Sequence, residues 1–134
     1  MIFKCRASQS IKLLTDPKKP TDLLSQTTKS YLDEWLKGCV YGVKKEISNK
    51  YLTKGNECED EAIEKAIEWL DLPFCMKNET HFQDDYFQGT PDLIVDGRIY
   101  DIKNSWDCFT FPLFENEIPT KDYISQVNVY MEMT

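Results

Sequence analysis

Apolar and polar positions change their rhythm several times along the chain, and each rhythm predicts an element. A short helix is expected over about Ser8 to Thr15, ended by Asp16-Pro17 and a Lys-Lys-Pro loop. Ser8 or Ser10 offers a hydroxyl for an orphaned N–H at its start. Tyr31, Leu32, Trp35 and Leu36 have helical spacing and predict a helix from about Ser25 to Lys37, with Gly38 as a natural stop. A second helix is expected from about Asn56 to Leu70, closed by Asp71-Leu72-Pro73. Short strands are expected near Phe74 to Lys77 and from Leu93 to Lys103, the latter split by Asp96-Gly97. Residues 104–120 form an aromatic, proline-containing loop, and a last helix begins near Lys121. Helices, then a hairpin, then a helix is an α/β or α+β order.

Composition narrows the class. The chain has 134 residues, 41% of them hydrophobic and 13% aromatic, which suits one domain over residues 1–134 with an apolar core of its own. No apolar run approaches the ~18 residues of a membrane span, and the N-terminus lacks the apolar stretch of a secretory signal. Cys5, Cys39, Cys58, Cys75 and Cys108 are scattered, with no C-x-x-C pair. They read as reduced thiols of a cytoplasmic protein, not as a disulfide framework or zinc knuckle. Sixteen basic against 23 acidic residues give a net charge of −7 and a pI near 4.7. That balance argues against a DNA reader with a broad basic face. It leaves room for an enzyme that grips nucleic acid through a few local cations and a bound metal. From Tyr123 to Thr134 no Gly, Asn or Pro stop follows Asn128, so the domain is expected to lack some C-terminal sequence.

The chemistry begins on the second long helix. Ala62, Ile63, Ala66, Ile67 and Leu70 make one apolar stripe at 100° per residue, with Glu57, Asp60, Glu61, Glu64 and Glu68 off it. Glu59 falls within the stripe. Two explanations stand at this point: a carboxylate facing the core toward a cation, or a helix-start residue favoured by the positive end of the dipole. The hairpin bears on the choice. With Asp96-Gly97 as a two-residue type I′ turn, Leu93 pairs with Tyr100 and Asp92 with Asp101. Two aspartates then stand roughly 5 Å apart on one face, where like charges repel. Lys103 shares that face by alternation. A divalent cation bound by the carboxylates makes the arrangement favourable; the alternative is that Lys103 alone serves as counter-ion to both.

Gly89-Thr90-Pro91-Asp92 followed by Asp101-Ile102-Lys103 resembles the PD-(D/E)xK nuclease signature. Gly55-Asn56-Glu57-Cys58-Glu59-Asp60-Glu61-Ala62 is similar to the G-x-x-x-E-x-x-A helix of the phage lambda-type, YqaJ-like exonucleases and viral recombinases. Tyr123-Ile124-Ser125-Gln126-Val127 resembles that group's glutamine helix, and Gln126 to Tyr130 also fits the QxxxY motif of RecB-type and Cas4-type nucleases. Arg6-Ala7-Ser8 resembles the short Ala-Ser motif that contacts the DNA 5′ end in lambda-type enzymes. The resemblance covers nearly the whole chain in the family's order. Its departure is Asp101, where glutamate is commoner in the subgroup.

The resemblance implies a restriction-endonuclease-like core, a mixed central β-sheet flanked by α-helices. It implies a Mg²⁺- or Mn²⁺-dependent exonuclease acting on duplex DNA ends with 5′–3′ polarity, in phage-type recombination and DNA processing. Asp92, Asp101, Glu59 and the backbone carbonyl of Ile102 are the implied metal ligands. Lys103 would hold the attacking water or the phosphorus centre. Gln126 and Tyr130, one helical turn apart, would orient Lys103, water or a DNA phosphate. Arg6 and Ser8 are the implied contacts to the DNA end. A single-strand annealing protein, a trimeric ring and the host cytoplasm are the implied partner, assembly and location. Other readings are an endonuclease, a Cas4-like processing nuclease (disfavoured because the cysteines lack cluster spacing), or a catalytically weak DNA-end-binding module.

Several residues carry a functional and a plainer reading. His81, the single histidine, lies in a polar stretch and is read as a loop residue, not a ligand. Trp106, Phe109, Phe111 and Phe114 are either a stacking platform for bases or, the preferred reading, a hydrophobic loop that covers the sheet or packs a neighbouring subunit. Lys44, Lys45, Lys50 and Lys54 are candidate phosphate contacts or ordinary solvated lysines.

Overall fold

The computed structural model describes residues 2–43, 50–114, 116–118 and 120–134. The side chains of Lys44, Lys45, Lys50, Lys54 and Glu57 lie outside the described residues. The elements run β1 (Cys5–Arg6), a 3-10 helix (Ala7–Leu13), α1 (Gln26–Tyr41), α2 (Lys50–Trp69), β2 (Phe82–Gln83), β3 (Phe87–Gly89), β4 (Leu93–Val95), β5 (Arg98–Tyr100) and α3 (Lys121–Met133). This is a mixed α/β fold with a mixed sheet: β1 pairs parallel with β3, and β2 pairs antiparallel with β3.

The hairpin forms as its turn residues dictate. Asp96 and Gly97 have φ of 49° and 72°, the two left-handed positions of a type I′ turn. The register is Val95↔Arg98, Ile94↔Ile99 and Leu93↔Tyr100. The ladder stops there, so Asp92, Asp101 and Lys103 lie just past the paired strands rather than within them.

Alternation along this short hairpin divides the core in two. Leu93 and Val95 face α2, where they pack with Ile63 and, less buried, Ile67, Leu72, Tyr100 and Ile102. Ile99, on the opposite face, packs against Ala7, Val129 and Tyr130. The hairpin is thus a partition with α2 on one side and α3 on the other, and its open end carries the aspartates.

Several expectations are corrected. The first long helix passes through Gly38 and stops at Gly42 (φ 66°), with the N–H groups of Gly42 and Val43 both donating to the Gly38 carbonyl. No strand forms at Phe74–Lys77; Asn78 N–H instead donates to the Asp92 carbonyl at 2.7 Å, one tie in place of a ladder. Leu70 lies beyond the last turn of α2 and is exposed, leaving the stripe one residue shorter. The N-terminal helix is a 3-10 helix without a side-chain cap. Ser10 bridges Ala7 and Ser125 through its hydroxyl, at 2.8 and 2.6 Å, and so does not cap. The hairpin also belongs to no common sheet with β1, β2 and β3, because β4–β5 forms a separate two-stranded ladder.

The three short strands of the other sheet were not foreseen. The turn between β2 and β3 is built by Asp84, whose carboxylate accepts the N–H groups of Tyr86 and Phe87 at 2.7 and 2.6 Å. Among the described residues no helix is long and apolar enough to cross a membrane.

Candidate active site

Asp101 is the best-held carboxylate of the chain's candidate site. Its side chain is 4% exposed, and Lys103 Nζ lies 2.7 Å from Oδ2. Gln126 Nε2 donates to Oδ1 at 3.0 Å. Gln126 comes from α3, which buries Ser125, Gln126, Val129 and Tyr130 on one face, the i, i+1, i+4, i+5 pattern of a packed helix. Gln126 Nε2 also donates to the Tyr130 hydroxyl at 3.0 Å, and that hydroxyl donates to the Thr90 carbonyl at 3.2 Å. Tyr130 is therefore both core and network, and burial raises its pKa against the lowering effect of the Gln126 bond.

Close packing seats this network. A Cβ on Gly89 would come within 2.8 Å of Tyr130 Cε1 and 3.1 Å of the Ala7 Cβ. Glycine at 89 and alanine at 7 let the ring slide beneath the strand leading to Asp92. Sequence reasoning gave neither residue a role, although both lie inside motifs it quoted.

Asp92 is the electrostatically costly member. Its Oδ2 accepts the Ile102 N–H at 2.7 Å, where the next ladder bond would otherwise fall. Burial raises its pKa above the ordinary carboxylate value, the Ile102 bond lowers it, and the charges of Asp101 and Glu59 raise it while Lys103 opposes them. So Asp92, Asp101, Glu59 and Lys103 act on one locality, as the spacing requires. The recorded contact to Ile102 is through its N–H.

Glu59 arrives from α2, one turn before the buried Ile63, and its side chain is 35% exposed. Lys77 Nζ stands 3.2 Å from Glu59 Oε1 and 2.8 Å from Asp60 Oδ1. The bonds to Asp60 and then Glu59 raise the Lys77 pKa. Lys77 is pinned beside Asp92 because Asn78 ties to the Asp92 carbonyl and, through Nδ2, to the Pro91 carbonyl at 2.9 Å. The helix begins at Lys50 rather than near Asn56, so Glu59 stands well inside it and the helix-start explanation does not hold. Its Lys77 partner was not foreseen, since nothing periodic links residues 17 apart such as Asp60 and Lys77. Among the described residues no three His, Cys, Asp or Glu side chains are gathered tightly enough to hold a metal ion. Asp92 and Asp101 form the acceptor pair, while Glu59 is engaged by Lys77.

The remaining candidates make contacts of their own. Arg6 and Ser8 are exposed, and the Arg6 N–H donates to the Tyr31 hydroxyl at 3.4 Å. His81 is exposed with Nδ1 3.1 Å from Thr90 Oγ1. Phe109 and Phe114 do not cover the sheet, being 93% and 92% exposed, whereas Trp106 is half-buried. Instead, the loop and α3 enclose a cleft of about 660 Å³ that reaches Asp101 and Lys103.

The fold and site together define a mixed α/β protein whose hairpin presents a desolvated aspartate pair, a lysine and a helix-borne glutamine. No protein-family model and no curated protein matches the chain. It is similar to the crystal structure of a phage-related exonuclease from Haemophilus somnus 129PT, with 30% identity and a TM-score of 0.83. The likeness covers 99% of this chain and 64% of that one, so the chain spans about two thirds of the exonuclease's length.

Proposed function

We propose that this protein is a metal-dependent deoxyribonuclease, an exonuclease that degrades linear duplex DNA from its ends with 5′–3′ polarity. The observation that carries the reading is the Asp92–Asp101 pair with Lys103 and Gln126 at the open end of the hairpin. The likeness to a phage-related exonuclease supports a nuclease at the coarser level. The donor set suits Mg²⁺ or Mn²⁺, because desolvated, mutually repelling carboxylates form a hard-oxygen site with excess negative charge.

A bound divalent cation supplies neutralised phosphate charge and a more acidic water. Asp92 and Asp101 would hold it, with the Ile102 carbonyl and with Glu59 once its carboxylate leaves Lys77. Gln126 fixes the Asp101 carboxylate so that one oxygen keeps a set direction. Lys103, 36% exposed at the rim, presents its ammonium to the attacking water or the phosphate oxygen. Arg6 and Ser8 would serve the DNA end, while Tyr130, buried in the network, would hold Gln126 in place. A single-strand annealing partner and a homo-oligomeric ring belong to the same reading.

The test is degradation of 5′- and 3′-labelled linear duplex and of closed circular duplex with Mg²⁺. Loss of linear DNA from one end, with circles spared, is expected. Cutting of circles makes the protein an endonuclease, and binding of ends without cleavage makes it an end-binding module.

A further inference from the structure

Helix α3 has two working faces. Ser125, Gln126, Val129 and Tyr130 are buried against the core, while Tyr123, Ile124, Val127 and Asn128 turn toward the aromatic loop and line the cleft of about 660 Å³. Phe109, Phe111 and Pro112 supply the opposite wall. That volume lies within the roughly 300–1,000 Å³ of small-molecule sites and exceeds what one side chain fills.

Among the described residues that line the cleft, charge lies at one end: Asp101 and Lys103 carry it, and the others are apolar or neutral hydrogen-bonding groups such as Asn104 and Asn128. An occupant with an anionic group at the Lys103 end and a flat, neutral, hydrogen-bonding body fits this division. A phosphate backbone inside the cleft does not. Lys103 belongs to both places, so anything whose phosphate reaches the carboxylate pair has its next group at the cleft mouth.

We infer that the cleft between α3 and the aromatic loop receives an unstacked nucleobase of the strand being cut, with Phe111 and Phe109 as its stacking surface. The inference rests on the nuclease reading and adds to it a base-holding site beside the carboxylates. Aromatic faces accept any base, so the site is expected to tolerate sequence while requiring that a base be present.

Two measurements test it. The first is single-turnover cleavage of duplexes carrying an abasic site at the terminal or the penultimate nucleotide of the degraded strand. One of these positions should slow the wild-type protein by between about 5- and 150-fold, the range of base–aromatic stacking. Phe111→Ala should slow cleavage of intact DNA comparably and lose nothing further on the abasic duplex, and Phe111→Trp should restore the rate. Losses that simply multiply, or an unaffected Phe111→Ala protein of native circular dichroism, overturn the inference.

The second measurement is fluorescence of 2-aminopurine at the same position in a single-stranded oligonucleotide, read without cleavage. Quenching by the wild type, relieved in Phe111→Ala and Phe109→Ala, supports the site even if no DNA is degraded, in which case the nuclease reading alone fails. Cleavage without quenching removes the base site and leaves the nuclease standing. If the phenylalanine variants instead change the mass by light scattering and leave quenching intact, a second copy of the chain occupies the cleft and the inference fails.

Discussion

The two sides of the hairpin hold their carboxylates by different means. On the α3 side Asp101 is almost fully buried, and its oxygens are taken by Gln126 Nε2 and Lys103 Nζ at 3.0 and 2.7 Å. Gln126 is itself anchored through Tyr130 to the Thr90 carbonyl. On the α2 side Glu59 is half-exposed and held by Lys77, an ammonium shared with Asp60. A buried network with every member satisfied keeps one arrangement, whereas a solvated ion pair contributes about 0–1 kcal/mol and exchanges partners easily. The α3 contacts therefore hold one arrangement, whereas the Glu59–Lys77 pair is solvated; on the proposed function a bound cation would displace Lys77 from Glu59.

Removing the carboxylate on the α3 side should have the largest effect. Asp101→Asn is expected to abolish Mg²⁺-dependent cleavage, by more than the roughly 100-fold that loss of an outer partner can cost. Circular dichroism should show the fold retained. Wild-type rates in this variant would remove Asp101 from the site. Next, Gln126→Leu should lower metal affinity and cleavage together by about 10- to 100-fold, since it deletes the donor that orients Asp101. Calorimetric Mn²⁺ titration checks the binding half. An unchanged affinity would mean that Gln126 is packing alone.

The α2 side should respond less, and in both directions. Glu59→Gln is expected to weaken Mn²⁺ binding and cleavage, partly recovered by excess Mn²⁺, whereas Glu61→Gln should behave as wild type because Glu61 is exposed and paired to Lys65 along the same helix. Lys77→Met should instead tighten Mn²⁺ binding by up to about five-fold, the equivalent of one exposed ion pair. If Glu59→Gln matches Glu61→Gln and Lys77→Met leaves affinity unchanged, Glu59 and Lys77 form only an ion pair that ties α2 to the strand.

Legibility in the sequence followed the range of the signal. Asp96-Gly97 demands two left-handed residues, so the turn and the Leu93↔Tyr100 register could be read directly. From that register came the convergence of Asp92, Asp101 and Lys103. The apolar spacing of α2 placed Ile63 in the core and Glu59 on the same side. Position 126 was reached through its motif. The β2–β3 hairpin left a usable trace in Phe82-Gln83-Asp84-Asp85-Tyr86-Phe87-Gln88, two like runs about an aspartate turn. Strands of two or three residues are too short for alternation to register. Lys77 had no trace at all, because a long-range ion pair follows from tertiary placement. Gly38 misled because a helix can carry a glycine within it when a later one, Gly42, takes the left-handed position.

The smallest effect separates the two aspartates from each other. Cross-strand repulsion, considered alone, would make either one dispensable to the metal-free fold, but the contacts divide them. Asp101 has a cation and an amide on its oxygens, so its loss strands Lys103 and Gln126. Among the described residues Asp92 accepts from one backbone N–H; burial holds its pKa above the unfolded value, with Asp101 and Glu59 adding to the rise against the Ile102 bond and Lys103. A carboxylate raised in the folded state binds protons more readily folded than unfolded. Its contribution is therefore best at low pH and falls as pH rises from the unfolded value of 3.8 through the folded one. At neutral pH Asp92→Asn should raise the Tm of the metal-free protein, by roughly 0.2–1 kcal/mol in stability, because asparagine can still accept the Ile102 N–H. The gain should shrink as pH is lowered through that window. Saturating Mn²⁺ should reverse the order, stabilising the wild type and not the variant. A Tm that falls in Asp92→Asn at neutral pH without metal would show that the carboxylate charge is already compensated, and the electrostatic case for a cation between the two aspartates would fall with it.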